Sequence, residues 1–187
     1  MAVASRIAFA IVALWSAAAW ADSFRVENFT IRGATARELR DELNRLGPVG
    51  ETGIRGDGYT EYRIAWKFSM RLKDGVCRAD NVAVDLDVTM RLPRWDPPTG
   101  VAPELIATWD RFSEVLREHE DGHHRLAIAA AREVRRKLRA RTSASSCEEL
   151  KVKLNDRASQ ALREYRERQQ EYDLETDYGR AQGTGVL

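Results

Sequence analysis

Two neighbouring stretches of this chain alternate apolar and polar residues with little interruption. Tyr62, Ile64, Trp66, Phe68 and Met70 are interleaved with Arg63, Ala65, Lys67 and Ser69. After Lys73-Asp74-Gly75, a turn sequence, Val82, Val84, Leu86, Val88, Met90 and Leu92 are interleaved with Ala83, Asp85, Asp87, Thr89 and Arg91. A period of two on both arms predicts an antiparallel pair with one wet face and one dry face. An earlier strand is expected around Phe24 to Ile31, ended by Arg32-Gly33.

The helical pattern brackets this hairpin. Thr35 can cap a helix over Ala36 to Leu46, with Glu38 three residues on completing a capping box. Gly47-Pro48 stops that helix, and the glycine-rich residues 49–58 read as a mobile loop. Pro93, Pro97 and Pro98 make residues 93–101 a rigid, non-helical connection, and Pro103 suits the first turn of the next helix. From there the period changes. Trp109, Phe112, Leu116, His119, His123, Leu126, Ala130, Val134 and Leu138 recur at steps of three or four, one face of a helix running to about Arg141. That is long for a globular helix, and a break is expected, if anywhere, between Thr108 and Glu114. Gly122 lies inside it, either tolerated there or leaving room for a strand or substrate to come close.

Thr142 to Ser146 reads as a polar linker in which Ser145 or Ser146 caps a second long helix. Leu150, Leu154, Ala158, Ala161, Leu162, Tyr165 and Tyr172 form its inner stripe, and Asp173 falls on the same side as Gln169 and Tyr165. The glycine-rich tail is expected to fray from about residue 180. The fold class is therefore α+β: a small antiparallel sheet, its dry face covered by the histidine-bearing helix, with a second long helix toward the C-terminus.

Composition adds an address. Arg6, the apolar run Ile7 to Trp20, and Ala19-Trp20-Ala21 before Asp22 have the order of a signal peptide over residues 1–21. No later stretch is long and apolar enough to span a membrane, and residues 22–187 suffice for one domain. Arg6 is one of 30 basic residues set against 29 acidic ones, so the chain after cleavage is formally neutral. Neutrality gives no general pull toward nucleic acid or anionic membrane. The run Arg132, Arg135, Arg136, Lys137, Arg139 and Arg141 is read as a solvated face matching the negative end of its helix dipole. Cys77 and Cys147, the two cysteines, are expected to pair in an oxidising compartment, periplasmic or secreted, stabilising by roughly 4 kcal/mol in the chain-entropy model.

The candidate chemistry sits in eight residues. All three histidines lie within Arg117-Glu118-His119-Glu120-Asp121-Gly122-His123-His124. His119 and His123, four apart, put two imidazoles on one helical face, and Glu120 completes His-Glu-x-x-His. In that arrangement two neutral imidazoles hold Zn2+ and the glutamate takes a proton from the zinc's water. Both imidazoles also lie on the buried stripe, where unpartnered polar rings cost free energy. A third ligand is needed, and His124 points about 100° away round the helix. A carboxylate or a tyrosine is left, the carboxylate taken first as Asp173, then Glu175, then Asp177.

Several elements together resemble a known family. They are Thr60-x-Tyr62-x-Ile64-x-Trp66, Cys77, Leu92-Pro93-x-Trp95, His119-Glu120-x-Gly122-His123, Cys147 and Tyr172-Asp173-x-x-Thr176-x-Tyr178-Gly179. The likeness is to a bacterial domain of unknown function described as predicted secreted zinc-dependent proteases, and it covers nearly all of the chain after the signal peptide. It implies zincin-like architecture. Members often carry histidine at the position of Tyr178, where this chain departs. Aspartate-type zincins also carry Tyr-Gly after the third ligand, a spacing that Glu175 matches best. By analogy with zincins, the strand Val82 to Leu92 would pair with an extended substrate.

These readings predict an exported zinc peptidase acting on a peptide or protein substrate. His119, His123 and Asp173 hold the ion, Glu120 is the general base, and Tyr178 or His124 donates a hydrogen bond to the developing oxyanion. The alternative is a zinc-stabilised envelope binding module without turnover. A metal-free interaction protein built on two charged helices is a third reading.

Overall fold

The computed structural model describes residues 22–50 and 53–187; the expected signal peptide lies outside them. Strand β1 (Ser23–Ile31) leads into helix α1 (Ala36–Leu46), then β2 (Tyr59–Lys73) and β3 (Val76–Trp95). Helix α2 (Pro103–Arg139), a short β4 (Ser143–Ala144) and helix α3 (Cys147–Glu175) come next, before two 3-10 turns over Arg180–Gln182 and Thr184–Val186. The fold is α+β, with a four-strand mixed sheet packed against α2 and α3.

The expected hairpin is present. β2 and β3 pair antiparallel from Tyr59↔Arg91 to Lys73↔Val76, with one irregularity between Lys67 and Ser69. Asp74 and Gly75 between them have φ of 50° and 72°, the two left-handed residues that let a two-residue turn follow the twist of its strands. β1 departs from a purely antiparallel arrangement, pairing parallel to β3 from Ser23↔Asp87 to Ile31↔Trp95. α1 and its loop carry the chain across the end of the sheet, so β2 starts one place beyond β1. β3 fills the slot between them, and a strand antiparallel to β2 must there run parallel to β1. β2 pairing ends at Tyr59↔Arg91, so β3 has an open edge beyond it, where Pro93 and its missing N–H are tolerated within the strand.

α1 is capped as its sequence suggests. Thr35 Oγ1 accepts from the Glu38 N–H at 3.3 Å, and the Glu38 carboxylate accepts from the Ala34 N–H at 2.6 Å. The described residues of the loop after it are held. Val49 bridges to Arg55, the Arg55 guanidinium donates to the Gly47 carbonyl, and Arg40 pairs with Asp57 at 2.7 Å.

α2 runs unbroken, with no interruption between Thr108 and Glu114. Trp109 and Phe112 are buried there, so the apolar stripe anchors the helix at the point where a break was expected. The stripe serves two hydrophobic clusters. Toward the helix start, Trp109, Phe112 and Leu116 pack with Ile31, Leu39, Leu43, Met90, Leu92 and Trp95. Toward its end, Ala127, Ala131, Val134 and Leu138 pack with Val84, Leu86 and Val88, and with Leu150, Leu154, Ala158 and Ala161 of α3. The alanines let the two long helices approach closely. His119 and His123 fall at the join between the clusters.

Ser146 caps α3, its hydroxyl accepting from the Glu149 N–H at 3.2 Å. The segment before it is more than a linker, because β4 pairs Ala144 with Cys77. That places Cys147 beside Cys77, and the two form a disulfide with Cα atoms 5.2 Å apart. The tail does not fray as expected. Asp177, Tyr178 and Gly179 take successive φ of 48°, 54° and 82°, reversing the chain onto α2. Thr184 is buried there and Leu187 packs against the first cluster. Among the described residues, no helix is long and apolar enough to cross a membrane.

Candidate metal centre

α2 presents His119 and His123 on one face, and α3 brings Asp173 to them. The His123 Nε2 is 3.0 Å from Asp173 Oδ1, the His119 Nε2 is 3.4 Å from the same oxygen, and the two nitrogens are 3.3 Å apart. These three residues form a group that could hold a metal ion. Three acceptor atoms this close repel one another unless protons or a cation lie between them. Zinc bonds of ~2.0–2.1 Å to tetrahedral ligands imply ligand separations of about 3.3 Å, so the donor set fits a metal both in chemistry and in spacing.

The remaining nitrogens are occupied. His123 Nδ1 lies 2.5 Å from Gln169 Oε1, and His119 Nδ1 lies 2.9 Å from Gln182 Oε1. Tyr172 stacks on the His119 ring at 5.1 Å and 14°, and meets the His123 ring edge-on at 5.0 Å and 87°. Its ring takes the space above Gly122, where an added Cβ would lie 2.2 Å from the tyrosine oxygen. The gap at Gly122 is therefore filled by α3, not by a strand or substrate.

Charge obeys this geometry. Burial works against a charged His123, but its bonds with Asp173 and Gln169 outweigh that and raise its pKa. Burial pushes Asp173 up, but the hydrogen bonds from His119 and His123 win and hold it at about 2. Glu120 points toward the sheet, only 3% exposed. Its Oε2 accepts from the Thr60 hydroxyl at 2.7 Å. Desolvation raises the Glu120 pKa, opposed by the positive field of His123, the Thr60 bond and His119. A carboxyl kept protonatable beside two imidazoles suits proton transfer.

Other candidates lie elsewhere. Asp177 pairs with Arg180 at 2.8 Å, and Glu175 lines a groove with Arg125, Arg168 and Tyr172. Neither joins the histidines. His124 stacks on Phe24 of β1 with ring centroids 4.2 Å apart, outside the cluster. Tyr178 is 56% exposed, on the left-handed turn that follows α3. Sequence reasoning does not single out Thr60, Gln169 or Gln182 for any role. Gln169 has a signal, one helical turn before Asp173 on the same face; Gln182 has none, since its approach depends on the reversed tail.

Structure and sequence together define an α+β protein with a two-histidine, one-aspartate cluster between two long helices. The chain matches the bacterial family of unknown function DUF922 over residues 26–179, and it belongs to that family. No curated protein and no solved structure matches it.

Proposed function

We propose that the protein is an exported zinc-dependent peptidase. The observation that carries this reading is the convergence of two imidazole nitrogens and one carboxylate oxygen beside a buried glutamate whose pKa is raised. His119, His123 and Asp173 would hold zinc. Zinc in such a site supplies a Lewis acid that acidifies water and polarises a carbonyl. Glu120 accepts a proton at Oε1, the oxygen that Thr60 leaves free, and returns it to the departing amine. Gly58 preserves the space at Oε1, since a Cβ there would come within 3.0 Å of it.

The strand first expected beside the substrate is partly enclosed. Among the described residues, β3 is paired on both sides over Asp87–Arg91, by β1 and by β2. An extended peptide cannot add to β3 over that stretch. Tyr178 would donate a hydrogen bond to the developing oxyanion. Export is supported by the signal-like residues 1–21 and by the Cys77–Cys147 disulfide.

One observation favours a second reading. Glu120 and His119 are almost fully buried, and the cluster ties α2 to α3, as a zinc that serves folding alone would do. Glu120→Gln separates the two. A peptidase keeps its zinc and loses cleavage of an unfolded protein substrate. A binding module shows no cleavage in either form and loses thermal stability on His123→Ala. A Glu120→Gln variant with full activity would rule out the proposed mechanism.

A further inference from the structure

We infer that Gln169 and Gln182 are positioning residues for the metal, holding both histidines in the tautomer that turns Nε2 toward it. The inference rests on the zinc reading above. Each amide's orientation follows from its second bond and, for Gln182, from the bond that the Tyr172 hydroxyl itself makes. Gln169 Nε2 donates to the His123 carbonyl at 3.1 Å, which leaves its oxygen facing His123 Nδ1. Gln182 Nε2 donates to the Tyr172 hydroxyl at 3.3 Å, which leaves its oxygen facing His119 Nδ1. The Tyr172 hydroxyl in turn donates to the His119 carbonyl at 3.3 Å. Every polar atom of this relay has its partner.

An amide oxygen can only accept, so each Nδ1 must carry the hydrogen and each Nε2 lone pair is left to face Asp173. The two holders come from different places. Gln169 lies on α3, four residues before Asp173, so a single helical face supplies a ligand and the residue that aims its partner. Gln182 lies beyond α3, in the first 3-10 turn. It reaches His119 only because Asp177, Tyr178 and Gly179 reverse the chain. Segment 177–182 thus becomes part of the metal site without contributing a ligand. Both holders are neutral. A bound dication with Asp173 as its one anionic ligand keeps a net positive charge, which a carboxylate in place of either glutamine would reduce.

The test is zinc affinity by chelator competition on the full chain after its signal peptide, with folding checked by circular dichroism. Gln182→Leu and Gln169→Leu should each weaken zinc binding about ten- to hundred-fold. Gln182→Glu restores an acceptor and should bind at least as tightly as the wild type. In histidine-labelled, zinc-loaded protein, proton–nitrogen NMR should show two protected Nδ1–H signals, with that of His119 lost in Gln182→Leu. Leucine variants that bind as tightly as the wild type overturn the inference alone, as does a Gln182→Glu variant as weak as Gln182→Leu. A wild type that binds no zinc overturns the metal reading along with it.

Discussion

Replacing Gly122 with alanine should destabilise this protein, although the same change in an ordinary helix would stabilise it. Alanine is favoured over glycine in a helix interior by about 1 kcal/mol. Here the new methyl would sit 2.2 Å from the Tyr172 oxygen and 2.3 Å from the ring carbon that bears it. Ordinary carbon contacts need about 3.5–4.0 Å, so the ring must retreat by more than an ångström. Its stacking on His119 and its edge contact with His123 are then lost, at ~0.5–1.5 kcal/mol each. The hydroxyl bonds to the His119 carbonyl and Gln182 go with them, at about 1 kcal/mol each. Set against the helix gain, the net loss is roughly 2–4 kcal/mol, and a chain of this size loses ~2–4 °C in Tm per kcal/mol. Thermal denaturation of the metal-free protein reads the effect. In a Tyr172→Ala background the clash is gone, so the alanine at 122 should become stabilising by about 1 kcal/mol. A Gly122→Ala protein that melts higher than the wild type would refute the reasoning.

Charge and connectivity give further outcomes. In the metal-free protein, Asp173 is held at about 2 against an ordinary 3.8, so its contribution is present above pH 3.8 and lost as pH falls toward 2. His123 is raised above 6.5, so its contribution is complete below that pH and lost as pH rises through the folded value. The pair therefore stabilises most in mildly acid solution, and Asp173→Asn should flatten the Tm profile across that window. Zinc competes with the His123 proton and should bind more tightly as pH rises; affinity constant between about pH 5 and 8 would contradict this. The disulfide closes a separation of 70 residues, worth ~4 kcal/mol in the chain-entropy model. The double alanine variant of Cys77 and Cys147 should melt roughly 10 °C lower, and an unchanged melting curve would show that the bond adds nothing.

Legibility in the sequence tracks the range of the interaction. The hairpin is readable because alternation and an Asp-Gly turn are local. The place of β1 is not, because parallel pairing depends on how α1 and its loop cross the end of the sheet. The histidine face is readable from the stripe that runs from Trp109 to Leu138. Asp173 ranks first among the acids because α3's own periodicity turns it inward. Gly179 and Gly183 suggest a loose end, yet glycine also supplies the left-handed residues of an ordered reversal. That ambiguity hides Gln182. Gly122 stands out in the sequence, but only the packed structure shows that Tyr172 fills its space.

The central claim is that His119, His123 and Asp173 bind one zinc ion together. Metal analysis of purified residues 22–187, alongside Asp173→Ala and His119→Ala, tests it most directly. The account predicts one zinc per chain in the wild type, and loss of that zinc in both variants while the disulfide and helical content persist. A wild type without metal, or an Asp173→Ala protein that holds zinc as tightly as before, would contradict it.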